Sequence, residues 1–287
     1  MDFRSAKELL NVCSENGILI SEAMIQREVT VGEKEREDVI KRMHRAFEIM
    51  KESANRAISN PAKSMGGLLG GQAKMLSDHV GSDKSACGSL VTKGIAYAMG
   101  VLEVNAQMGL IVAAPTAGSS GVIPGTMLAL QDEYGFTDDQ IVTALFNTGA
   151  VGYLAMRNAT VAGAVGGCQA EIGVASAMAA SAAVELLGGT PAQSLDAAST
   201  VLMNMLGLVC DPVAGLVEYP CQNRNASGVA NALVAAEMTM AGITQLIPFD
   251  EMLDLMYKVG RDMPVELRET ALGGCALSKS ACAGCKT

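Results

Sequence analysis

The stretch EKEREDVIKRMHRAFEIMKESANRA, residues 33 to 57, places Val39, Ile40, Met43, Phe47 and Met50 at helical spacing among Glu, Lys and Arg. Apolar residues three and four apart form one stripe on a helix, so the segment reads as a surface-lying helix with one face on a core. Helical patterns recur at Ser89–Met108, Pro124–Asp132, Asp138–Leu154, Gln169–Leu187, Pro191–Leu206, Gly228–Thr244 and Asp250–Val259. Thr137 and Thr190 stand where N-caps belong, with Pro191 at a first helical position, and Asp250 is expected to cap the last helix. Between Asn60 and Gly88, Pro61 and the paired glycines at 66–67 and 70–71 read as loops around a short helical piece holding Lys74. No run alternates cleanly enough to compete as a strand. The expected fold is all-α: one multi-helix domain over residues 1–287 with glycine- and proline-rich loops. Residues 1–60 are an N-terminal helical extension and 273–287 a mobile cysteine-bearing tail.

Composition agrees with helices. The chain is 49% hydrophobic but only 3% aromatic, with 18 Met, 31 Gly and no Trp, so small side chains must fill the interior and helices must approach closely. A net charge of −9, with no basic stripe or aromatic platform, argues against nucleic acid as a partner. Two apolar stretches, Ile141–Gly167 and Ile172–Leu187, read as buried core helices rather than membrane spans: Arg157 and Asn158 interrupt the first, and the second is short and contains Glu185. The start MDFRSAKELL lacks a signal-peptide core, so the expected location is cytoplasmic, where eight cysteines point to metal or chemistry before disulfides.

Glycine, proline and cysteine concentrate in four connections: APTAGSSGVIPG (114–125), GGCQAE (166–171), CDPVAGLVEYPC (210–221) and GGCALSKSACAGCKT (273–287). Cys13 and Cys87 read as small packing residues. Cys168 follows two glycines and opens a helical segment, so free backbone N–H groups surround its sulfur and favour a thiolate. Cys210 and Cys221 share an irregular segment whose path is restrained by prolines. Their spacing fits no zinc pattern; three thiols on restrained turns admit a three-thiolate iron-sulfur site with one iron left open, which can act as a Lewis acid. For Thr116, Ala117, Gly118, Ser119, Ser120 and Gly121, two readings stand: a concavity of N–H groups and hydroxyls for a carboxylate, or a tight turn entering a helix at Pro124. Asn105, Asn147 and Asn158 are amides in apolar text that need partners, either to orient loops or simply to satisfy the core.

Together GGCQAE, NMLGLVCDPVAGLVEYPCQNRNA and APTAGSSGVIPG resemble the catalytic region of the bacterial iron-sulfur L-serine dehydratases, and the likeness runs from about Phe3 to Gly274. The resemblance implies a [4Fe-4S] cluster on Cys168, Cys210 and Cys221, with a fourth iron that meets L-serine. It implies a serine carboxylate gripped by the loop at 116–121, with Ser119 and Ser120 in the catalytic set. Lys74, which matches a recurrent family position, becomes the candidate for substrate charge or base chemistry. It also implies an oligomeric assembly completed by a separate β subunit, because this chain lacks the family's smaller domain with its serine-rich, histidine-ended loop. In some members a terminal cysteine covers the open iron, and Cys285 is the nearest equivalent, with Cys282 close by. Threonine deamination and cysteine desulfidation are the nearest rival activities. A pyridoxal-phosphate dehydratase is disfavoured by the missing strands, and a zinc-stabilised interaction protein is the non-enzymatic alternative.

Overall fold

The computed structural model describes residues 2–284, with the side chains of residues 2–281, and among them the fold is all-α. In chain order the helices are α1 (Ala6–Asn16), α2 (Ile20–Gly32), α3 (Arg36–Ser59), α4 (Gln72–His79), α5 (Gly88–Ala106), α6 (Val122–Tyr134) and α7 (Asp138–Asn158). They continue with α8 (Gly163–Gly166), α9 (Val174–Leu186), α10 (Pro191–Met205), α11 (Cys221–Met240), α12 (Phe249–Asp262) and α13 (Lys279–Gly284). A single π-turn, Gln169–Gly173, leads into α9, and short 3₁₀ turns occupy several connections. No described helix is long and apolar enough to cross a membrane.

α9 is the axis. Every residue from Val174 to Val184 is buried, and α6, α7, α10 and α11 pack around it. Its sequence VASAMAASAAV explains the position: alanine and serine lose little conformational entropy and let neighbours come close on all sides, so no charged face is needed. The crossing of α5 and α6 shows how tight this becomes. A Cβ placed on Gly125 would stand 2.6 Å from the Gly94 carbonyl oxygen, so that position tolerates no side chain, and one on Gly94 would crowd the Gly125 carbonyl oxygen at 3.2 Å and Val229 Cγ1 at 2.7 Å. α3 lies outside this group with Val39, Phe47, Met50, Ala54 and Ala57 buried, as its stripe requires.

Thr137 and Thr190 each close a capping box, with Gln140 and Gln193 respectively. Asp250 does not cap its own helix, where Pro248 holds the N-cap position. Its carboxylate instead accepts from the Ala6 and Lys7 N–H groups at 2.7 and 3.1 Å, capping α1 from 244 and 243 residues along the chain. Two further features matter, the second a departure from the sequence reading. The N-terminal extension places two helices before α3, separated by Gly17 in the left-handed region. And α11 begins at Cys221, not Gly228, because the polar run QNRNAS that looks like a loop has its side chains satisfied by other parts of the fold.

Candidate active site

Three connections meet at one end of α9. The 3₁₀ turn Ala117–Ser119 precedes α6, the π-turn precedes α9, and α11 opens at Cys221, so three helical N-termini border the same space. The partial positive charge of helix starts makes such a place hospitable to thiolates and to an anionic substrate group. A cavity of about 310 Å³ lies there, lined by Thr116, Ala117, Gly118, Glu171, Cys210 and Cys221 among others.

Cys168, Cys210 and Cys221 are all buried. Cys168 is set by its neighbour Gln169, whose N–H reaches the Leu208 carbonyl at 3.0 Å and whose amide spans from Met256 O to Gly207 N–H at 2.8 Å each. Cys210 sits in an isolated parallel bridge with Arg268, its N–H on Leu267 O at 2.9 Å and its carbonyl receiving Glu269 N–H at 2.7 Å. The ligand atoms of Cys168, Glu171 and Cys210 lie within 4.8 Å of one another, and Cys221 adjoins them across the cavity. Gly163 permits this approach: a Cβ there would meet Glu171 Oε2 at 2.5 Å and Cys210 Sγ at 3.1 Å.

Electrostatics reveal what the group lacks. The Cys210 thiol is pushed up by its hydrogen bond to Cys168, by burial and by the charges of Cys168, Glu171 and Glu269. Burial pushes Cys221 up to about 12, with Cys168 and Glu171 adding to it and Arg224 partly opposing. Burial also raises Glu171 above the usual carboxylate range; Glu269 adds to this while the Thr116 hydroxyl, donating at 2.8 Å, opposes it. Donors crowded so that their anions repel one another are what a bound cation reconciles, and sulfur ligands select zinc, copper(I) or iron-sulfur centres. The residues present therefore fit a thiolate-held metal group.

Around this group stand residues that the motifs contained but that spacing alone did not single out. Arg224 pairs with Asp211 at 2.7 Å, donates to Val209 O at 2.9 Å and has its guanidinium charge favoured by the neighbouring Cys168. Asp211 also accepts from Cys275 N–H at 2.6 Å, which anchors the turn Gly274–Leu277 beside the cysteine loop. Asn225 accepts from Gly121 N–H at 2.9 Å and donates to Gly118 O at 2.7 Å and Cys221 O at 2.9 Å, so one amide joins the 116–121 turn to the start of α11. Glu218 accepts from Ser64 Oγ at 2.6 Å and from the Gly66 and Leu68 N–H groups at 2.7 and 3.1 Å, holding the 64–68 loop against the same segment. A carboxylate three residues after Cys168 was legible as a signal for Glu171. Nothing local marks Arg224 or Asn225, whose partners are distant in sequence.

The anticipated loop residues divide. Thr116, Ala117 and Gly118 line the cavity. Ser119 and Ser120 are fully buried and turn back on their own loop, Ser119 in a reciprocal cap with Thr116 and Ser120 donating to Ala117 O at 2.8 Å. The Gly121 N–H is taken by Asn225. Lys74 stays outside the group, on the exposed α4 with its Nζ bound to Asp78 at 2.9 Å. Asn147 serves a separate buried network with Ser181 and Glu185, and Asn158 donates to Arg4 O. Cys285, and the side chain of Cys282, lie outside the described residues.

Asn225→Ala would leave the Gly121 N–H and the Gly118 carbonyl without their partner, at about 1–3 kcal/mol for each buried group. The expected result is a lower melting temperature and a KM for substrate raised about tenfold, with metal content retained. An unchanged KM would show that the 116–121 turn does not hold the substrate.

The arrangement defines a class first: a helical protein with a buried thiol-and-carboxylate centre opening on a cavity beside the Thr116–Gly118 turn. Comparison with known proteins then narrows it. Residues 15–276 match the family model described as serine dehydratase alpha chain. The chain is 49% identical to the probable L-serine dehydratase alpha chain of Bacillus subtilis over 96% of its own length and 91% of the relative's. It is 44% identical to the L-serine dehydratase alpha chain of Peptoniphilus asaccharolyticus over 96% and 94%. With Escherichia coli L-serine dehydratase TdcG it shares 37% identity, covering 96% of this chain but 62% of that one. The chain belongs to the serine dehydratase alpha chain family.

Proposed function

We propose that this chain is the catalytic subunit of a [4Fe-4S]-dependent L-serine ammonia-lyase that converts L-serine to pyruvate and ammonia. The observation that carries the reading is the meeting of Cys210, Cys221 and Glu171 with the Thr116–Gly118 turn around one cavity, with the Cys168 sulfur within 4.8 Å of the Glu171 and Cys210 ligand atoms. The three thiols would hold the cluster, which when bound supplies a Lewis acid for the leaving hydroxyl. The N–H groups of Ala117 and Gly118 open their turn, where helical N–H groups have no partner inside it, and they receive the substrate carboxylate, while Thr116 Oγ1 stays on Glu171. That contact fixes Cα beside Glu171, whose carboxylate takes the α-proton on Oε. Lys74, bound to Asp78 on the surface, is less well placed for this step. Loss of water leaves 2-aminoacrylate, which tautomerises and hydrolyses to the products.

A separate β chain completes the enzyme in this reading. The names of the two alpha-chain relatives support it, as does the 62% coverage of TdcG, a dehydratase whose single chain is longer. The reducing cytoplasm is the compartment that suits such a centre.

The test is anaerobic purification with iron, sulfide and zinc counts, followed by serine-to-pyruvate assays with and without the β chain, and with threonine and cysteine as competing substrates. Iron and sulfide in equal amounts, and turnover of serine above the other two, are expected. Zinc without iron would favour an interaction protein, and activity gained with pyridoxal phosphate would overturn the cluster chemistry.

A further inference from the structure

Away from the cysteines, the α2–α3 corner carries a charge arrangement at odds with the rest of the chain. In a protein of net charge −9, Lys34, Lys41, Arg42 and Arg45 line one cavity of about 430 Å³, with Asp38 as its single acidic lining residue. Asp38, Lys41, Arg42 and Arg45 are spaced three and four apart, so they share one face of α3, and Lys34 joins them from the preceding connection. The other arginine of this helix start, Arg36, is neutralised by Glu22 at 2.7 Å, and Arg45 meets Glu48 at 2.9 Å. Among the described residues Lys34, Lys41 and Arg42 have no carboxylate within 4 Å.

A second cavity of about 390 Å³ adjoins the first and shares Lys34 and Arg42 with it. Its walls are apolar: Met24 from α2, Val39, Met43 and Ala46 from α3, and Phe146 with Gly149 from α7. Gly149 keeps it open, for a Cβ there would approach Met24 only to 3.8 Å, ordinary contact, so a larger side chain would occupy the slot. Glu28, which also meets Arg27 at 3.4 Å, is the one carboxylate among its lining residues.

A solvated charged face would explain cations alone, since exposed lysines need no partner. It does not explain why unpaired cations converge on the mouth of an apolar slot. Lys41 and Arg42 stand four and three residues before Arg45 on the helix, where like charges repel, and a bound anion relieves that repulsion. A fatty carboxylate would bring one charge to the three unpaired cations, and free phosphate would leave the slot unused. We propose that this corner binds a purine nucleoside di- or triphosphate, with the base in the Met24–Met43–Phe146 slot and the phosphates on Lys34, Lys41, Arg42 and Arg45. Thioethers adapt to a flat ring, Arg forks match phosphate oxygens, and Glu28 can accept from an exocyclic amino group. The site shares no residue with the cysteine-lined cavity and stands or falls independently of the proposed reaction.

Fluorescence titration of the full chain with N-methylanthraniloyl-ADP, competed by ADP, adenosine and inorganic tripolyphosphate, tests it. ADP should compete at least about tenfold better than either fragment, and binding should weaken as salt rises. Arg42→Glu and Lys41→Glu, both on exposed positions, should each weaken ADP about tenfold or more with unchanged melting temperature. Gly149→Leu should weaken ADP while sparing tripolyphosphate. Tripolyphosphate competing as well as ADP, indifference to both charge reversals, or no saturation below millimolar probe would each overturn the proposal.

Discussion

Serine in place of Cys168, Cys210 or Cys221, one at a time, is expected to lower serine turnover by about 10³-fold or more, the scale of losing several kcal/mol of transition-state stabilisation. Iron content should fall with it. The expectation follows from burial: each thiol is enclosed, and Cys210 and Cys221 are held protonated by their surroundings until a cation compensates them. A hydroxyl is a far poorer ligand for iron than a thiolate, while the similar size of serine leaves the packing intact. Circular dichroism should therefore remain that of the parent even as iron is lost. Arg224→Lys provides a graded companion, because it retains charge near Asp211 and Cys168 but loses the planar guanidinium that meets Asp211 and Val209 O together. Full iron and full turnover in all three serine variants would exclude these cysteines as the ligands.

Glu171→Gln separates proton transfer from metal binding. The amide keeps the shape of the carboxylate and can still accept from Thr116 Oγ1, so the turn at 116–118 should stay in place and KM should move little. What disappears is an atom able to take the α-proton. General-base catalysis contributes about 10²–10⁴-fold, and kcat should drop by that amount. Exchange of the serine α-hydrogen with deuterated solvent should be lost in parallel. If iron content fell together with kcat, Glu171 would be acting as a ligand beside Cys168 and Cys210, as its position also permits. If exchange and kcat both persisted with iron intact, the base would lie elsewhere.

The long helices were legible because their information is local. The stripe of α3, the threonine caps of α7 and α10 and the proline at the start of α10 depend on residues within one or two turns, and each appears in the structure as its pattern requires. The three cysteines were singled out by the glycines and prolines beside them, and by likeness to a family, which is why they were named before any distance was known. Tertiary structure decided the rest. Asp250 caps α1 and not its own helix because the two termini are brought together by packing, and no local rule records that. The QNRNAS run belongs to α11 because Gln222, Arg224 and Asn225 find partners at Glu103, Asp211 and Gly118. Polar side chains without visible partners read as loop, and satisfied ones are free to be helix. In the 116–121 turn the sequence offered six candidates of similar chemistry, but which of them face the cavity depends on where each hydroxyl finds its acceptor. Ser119 and Ser120 are consumed by their own turn, while Thr116 reaches Glu171 across 55 residues of chain. Residue types and short-range spacing thus set the helices and the kind of chemistry available, whereas the direction of each polar group was set by long-range hydrogen bonds that exist only once the helices have packed.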